Sequence, residues 1–269
     1  MGIYQLTDRI IDPTRYPWGW EGVLWTPESI TTALWLDADD SSTITLVSGA
    51  VSQWNDKSGN GRHATQETAN KRPSVVSDSV NGGSVIRLDG VDDEMALPSI
   101  TATAGIRLYF VLRQNKGASG RNGGIAAMTS LASATGNDHF GGVGSPSDWF
   151  DAFFSTSRVR VSSTDIPTEV YLGFLAQTGT AIRGKVFGLI DNTENATFNG
   201  SPSRMSVGGN LATNIPLTYS RHDYAELILV QSPSEENQYK LEGYLAHKWG
   251  LTGNLPIDHP YKEHRPINE

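Results

Sequence analysis

The stretch that decides the fold is WNDKSGNGRHATQE, Trp54 to Glu67. It fits the calcium-loop pattern, with Asp56, Ser58 and Asn60 in the first three ligand positions, Gly61 at the tight turn and Glu67 at the closing position. Helices on both sides would make it an EF-hand. The flanks say otherwise. TITLVSGAVSQW before it is β-branched and alternates as a strand does, and TANKRPSVV after it carries a proline and runs on extended. His63 also occupies the position where a small apolar residue bridges paired EF-hand loops. The stretch therefore joins two strands. Two readings stay open. One is a rigid Asx-type turn, with Asp56 and Asn60 bonding local backbone N–H groups. The other is a calcium-binding turn whose ligands are Asp56, Ser58, Asn60 and nearby carbonyls, which makes Ca2+ the one cofactor candidate.

Working outward, the same β pattern fills the chain. ALWLDA, STITLV and GAVSQW are short apolar runs ended by Ser, Gly, Asp or Asn. SVIRLDG and EMALP flank Gly90-Val91-Asp92-Asp93 and read as a hairpin. In IRLYFVLR, Ile106, Leu108, Phe110 and Leu112 fall on one face. SDWFDAFF, SRVRVS, EVYLGFLAQ, IRGKVFGLI, RMSVGG and YAELILVQ continue the series. The turn spacing predicts a sandwich or barrel. One helix is predicted over 233–249, with Ser232 as N-cap, Pro233 at the first position, Glu235 completing a capping box and Gly250 as the stop. Leu241, Tyr244, Leu245, Lys248 and Trp249 lie on one of its faces, and it is expected to cap a sheet edge or one end of the sandwich. Residues 1–30 differ: Trp18, Trp20 and Trp25 sit among Pro and Gly with no period. They predict an extended arm, docked on a partner or on its own domain, ahead of one β domain over 31–269.

Composition narrows the partners. The formal net charge of −8 argues against a nucleic-acid surface. There is no cysteine, so no disulfide and no thiolate metal site. No apolar run approaches the roughly 20 residues of a membrane span, and no signal peptide is legible at the N-terminus.

WLDADDSSTIT, VSQWNDKSGNGRHATQ and VIRLDGVDDEM together resemble the concanavalin A-like lectin/glucanase superfamily in its laminin-G-like form. LEGYLAHKWGLTGNLPIDHPYK resembles the end of a bacterial and phage version of these domains. The likeness covers about residues 30 to 262, and SGNGRHA and EGYLAHKWG are its most specific parts. It implies an all-β, two-sheet antiparallel jelly-roll sandwich with one C-terminal helix. It also implies a virion component (capsid decoration, tail or fibre) that assembles in a host cytoplasm beside other virion proteins and copies of itself.

Catalytic signals are sparse. The E-x-D-x-x-E strand pattern of glucanases is missing, and Glu169, Glu226, Asp148 and Asp151 read as isolated acids. No nucleophile elbow, zinc motif or phosphate loop is present. The chain is therefore expected to be non-enzymatic, with a cell-surface glycan as the alternative partner. Stacking of sugar on an aromatic ring beside polar side chains points to Arg121, Asn137, Asp138, His139, Asp148 and Trp149 as candidate glycan contacts. A second acidic cluster, Asp89, Asp92, Asp93 and Glu94, crowds the predicted hairpin, where a cation would relieve repulsion.

Overall fold

A computed structural model describes residues 9–11, 21–100, 105–115, 126–129, 142–144, 149–154, 157–160, 169–178, 181–195, 204–208, 219 and 221–268. The described residues form an all-β sandwich of two main antiparallel sheets, with one α-helix, Glu235–Lys248. The larger, eight-stranded sheet runs in the order Ile190–Asn195, Ala181–Val186, Val170–Thr178, Ile106–Gln114, His222–Gln231, Gly83–Arg87, Ser74–Val80. Thr32–Asp37 pairs with the far half of His222–Gln231. The second, six-stranded sheet runs Ala126–Thr129, Arg204–Val207, Met95–Leu97, Ala64–Thr65, Ala50–Trp54, Ile44–Val47.

Alternation works as IRLYFVLR predicts. Ile106, Leu108, Phe110 and Leu112 point into the interior between the sheets, where they meet Trp54, Met95 and Val207 from the smaller sheet. Tyr109 and Val111 point the other way and meet Leu241, Leu245 and Trp249 of the helix. The helix thus lies across the outer face of the larger sheet, not at its edge or end. The reason is burial: a central strand apolar on both faces needs a cover on each side.

Three local expectations change. The segments around Gly90 do not form a hairpin, since Gly83–Arg87 belongs to the larger sheet and Met95–Leu97 to the smaller. The turn between them crosses the sandwich. IRGKVFGLI is two strands, broken by a turn with Gly188 at φ +79°. The helix is capped by Ser234, whose hydroxyl accepts from the Asn237 N–H at 3.2 Å, two residues later than expected. Its stop is as predicted: Gly250 takes φ +71° and the Leu251 N–H returns to the Ala246 carbonyl at 2.7 Å. Gly243, inside the helix, lets the C-terminal tail pass, because a Cβ there would sit 2.4 Å from Cβ of Tyr261.

Among the described residues no helix is long and apolar enough to cross a membrane.

Candidate functional site

Glu226 lies in the middle of the apolar strand HDYAELILVQ and is wholly buried. Its orientation comes from a β-bulge. The pairing runs Val111 to Glu226 but Leu112 to Tyr224, which leaves Ala225 as an extra residue. Tyr224, Leu227 and Leu229 face the inter-sheet interior, while Ala225, Ile228 and Val230 face the helix. Without the extra residue, alternation from Ala225 would turn Glu226 into the apolar interior.

On the helix side the carboxylate meets four donors. Oε1 accepts from Trp35 Nε1 at 2.7 Å and from the Tyr244 hydroxyl at 3.1 Å. Oε2 accepts from Trp249 Nε1 at 2.8 Å and from Lys248 Nζ at 2.9 Å. Glu226 is in register with Asp37 on the neighbouring strand. Lys248 Nζ also donates to Asp37 Oδ1 at 2.6 Å, so one ammonium serves two carboxylates. Lys57 meets the other Asp37 oxygen at 3.0 Å and Asp40 at 2.8 Å. Burial pushes the Glu226 pKa up, with Asp37 adding to it and Lys248 opposing. Burial also works against the Lys248 ammonium, but Glu226 and Asp37 outweigh it and hold its pKa above that of a free lysine. Burial, then Glu226, raises Tyr244 far above a free tyrosine.

Above this network opens a cavity of about 730 Å³. Tyr244 and Lys248 line it from the helix, Asp39 and Asn81 from turns at the ends of sheet strands, and residues 23–29 and 265–268 form the remaining wall. That wall is a clasp between the two ends of the domain. The Trp25 N–H donates to the Pro266 carbonyl at 3.0 Å, the Asn268 N–H to the Val23 carbonyl at 2.8 Å, and the Ser29 hydroxyl to Asn268 Oδ1 at 3.0 Å. Tyr244 and Lys248 have their polar atoms committed below, so a ligand's hydroxyls would be met by Glu28, Ser29, Asp39, Arg265 and Asn268. The buried carboxylates hold the helix to the sheet, and a group closed off by four donors cannot itself reach a substrate.

The residues singled out in the sequence fall elsewhere. Trp25 is buried in its own domain, edge-on to Tyr244 at 6.3 Å. Trp18 and Trp20 lie outside the described residues, as do Arg121, Asn137, Asp138, His139 and Asp148. Trp149 starts a strand whose backbone pairs opposite Gly144.

Asp56, Ser58 and Asn60 form the Asx-type turn. Asp56 Oδ1 accepts from the N–H groups of Trp35 and Ser58 at 2.9 Å, and Oδ2 from the Ser58 hydroxyl at 2.7 Å and the Arg62 N–H at 3.0 Å. Asn60 turns its amide NH₂ to the Thr32 carbonyl at 2.9 Å. Both Asp56 oxygens and the Ser58 hydroxyl take part in the turn, and His63 is explained too, since its Nδ1 accepts from the Asp56 N–H at 3.0 Å. Asp89, Asp92 and Asp93 do gather, with carboxylate oxygens within 4.8 Å of one another. Asp89 Oδ1 accepts from the Val91 N–H at 2.7 Å, as a turn residue does.

The sequence reading missed the network, although its parts were visible. A glutamate inside YAELILV and a lysine on the apolar face of the helix are complementary anomalies. Nothing in the sequence says that they meet.

No protein-family profile matches the chain, and no curated protein matches its sequence. Solved structures do resemble it. A Trypanosoma rangeli sialidase in complex with sialic acid matches 82% of this chain with TM-score 0.53 at 14% identity, and this chain spans 33% of that one. Another structure of T. rangeli sialidase gives TM-score 0.55 at 12% identity over 80% of this chain and 32% of its own. Domain 4 of AbnA, a GH43 extracellular arabinanase from Geobacillus stearothermophilus in complex with arabinotriose, gives TM-score 0.53 at 12% identity over 75% of this chain and 92% of that domain. The chain thus spans about a third of the sialidases it matches. These likenesses, drawn from glycoside hydrolases, overturn the expectation of a non-enzymatic protein. Glu226, read as an isolated acid, has Asp37 in register beside it, but both are buried and held by their donors.

Proposed function

We propose that this chain is a carbohydrate-directed β-sandwich module that works in glycan processing, with the cavity beside Tyr244 and Lys248 as its sugar site. The observation that carries the reading is that cavity. It is large enough for a short oligosaccharide, it has aromatic walls in Trp25 and Tyr244, and its rim side chains offer both donors and acceptors. The arabinanase domain supports it, since nearly all of that domain matches this fold and it was solved with arabinotriose. The concanavalin A-like kinship expected from the sequence belongs to the same proposal. A virion setting is a separate proposal, tested by locating the chain in purified particles.

The test is a titration of the isolated chain with arabinotriose and lactose, followed by amide NMR shifts. Saturable shifts centred on residues 23–29 and 265–268 are expected, weakened in the Ser29→Ala/Asn268→Ala variant with its circular dichroism unchanged. No shifts at millimolar sugar would reject the reading. Shifts centred on Trp149 would move the site to the segment that the sequence favoured.

A further inference from the structure

We infer that the cavity selects uncharged sugars and turns away acidic ones, an inference that rests on the carbohydrate reading above. Charge placement carries it. The two cations in the lining are not equivalent. Lys248 is consumed by Asp37 and Glu226 beneath it, at 2.6 and 2.9 Å, so its charge does not project into the cavity. Beneath the cavity Asp37 and Glu226 face Lys248 and Lys57, so the floor offers no uncompensated positive charge.

At the rim stand Glu28 and Asp39, both exposed and both without an ion-pair partner among the described residues. Asp39 accepts from the Ser84 N–H at 3.1 Å through one oxygen and leaves the other open to the rim. Against them is one uncommitted cation, Arg265, also exposed. An entering carboxylate therefore meets two rim anions for one solvent-screened guanidinium, above a floor with no cation to spare. A neutral sugar meets the same groups as hydrogen-bond partners without that repulsion.

The experiment compares lactose with 3′-sialyllactose, which differ by one acidic residue, on the intact chain at low and at 0.5 M salt. Lactose is expected to bind more tightly at low salt, with the gap closing at high salt as the charges are screened. In the Glu28→Gln/Asp39→Asn variant the lactose-to-sialyllactose ratio should fall by about two- to fivefold, the size expected for exposed charges. Sialyllactose binding as well as or better than lactose in the native chain would overturn the inference while leaving the carbohydrate reading standing. A ratio unmoved by both salt and the double substitution would also overturn it. Binding of neither sugar would instead remove the carbohydrate reading and this inference with it.

Discussion

The indole N–H of Trp35 donates to Glu226 Oε1 at 2.7 Å across 191 positions of sequence. That bond joins an early strand to a late one, and the same carboxylate reaches Tyr244 and Trp249 on the helix. One side chain thus ties three elements together, and the cavity opens directly above it.

Replacing Glu226 by Gln should therefore destabilise the whole domain. An amide cannot accept from four donors, and its NH₂ would face the indole N–H groups. Lys248 would lose one of its two carboxylates while keeping Asp37, and the buried donors would lose their charged acceptor, so a loss of about 1.5–3 kcal/mol is the expected outcome in urea unfolding at pH 7. A loss under about 1 kcal/mol would mean that the carboxylate does not hold the helix to the sheet.

Asp56 gives a contrasting case. Asp56→Asn removes charge from four accepted hydrogen bonds. It should cost about 2 kcal/mol, as expected for bonds to a charged acceptor. The decisive comparison is the same thermal melt in calcium and in chelator. Equal losses are expected, whereas native stability that rises with calcium and loses this rise in the variant would restore the metal-turn reading.

Two groups should set opposing pH trends. Burial, then the neighbouring Asp89 and Asp92, raises the Asp93 carboxyl to about 6. The folded state then binds that proton more tightly than the unfolded chain, so stability falls as pH rises from about 4 to 6. His222 is buried and its pKa drops to about 4, so the unfolded chain takes the proton first and stability rises with pH up to about 6.5. These two contributions should nearly cancel between pH 4 and 6. In Asp93→Asn, which can still accept from the Asp89 N–H, stability should climb with pH across that window. A variant profile parallel to the native one would show that Asp93 titrates normally.

Gly243→Ala tests the tail. A methyl group would collide with Tyr261, so the helix or the tail must shift. Overpacking of this kind costs about 1–3 kcal/mol, although alanine is intrinsically the better helix former by about 1 kcal/mol. The net effect should be faster proteolysis within residues 256–268, and a tail as protected as in the native chain would refute the close approach.

Side-chain periodicity alone determined much of this protein. Alternation in IRLYFVLR placed Phe110 in one layer and Tyr109 in the other, and the face of Leu241, Leu245 and Trp249 was legible from helical spacing. Such patterns are local, because successive side chains on a strand or helix point in directions that the backbone dictates. Tertiary structure decided the rest. That Gly83–Arg87 and Met95–Leu97 part company into different sheets depends on partners far along the chain. That Glu226 faces Lys248 depends on one extra residue in the ladder, Ala225. A single bulge reverses every orientation beyond it, and its cost is repaid only by contacts that exist once the sandwich and helix have closed together.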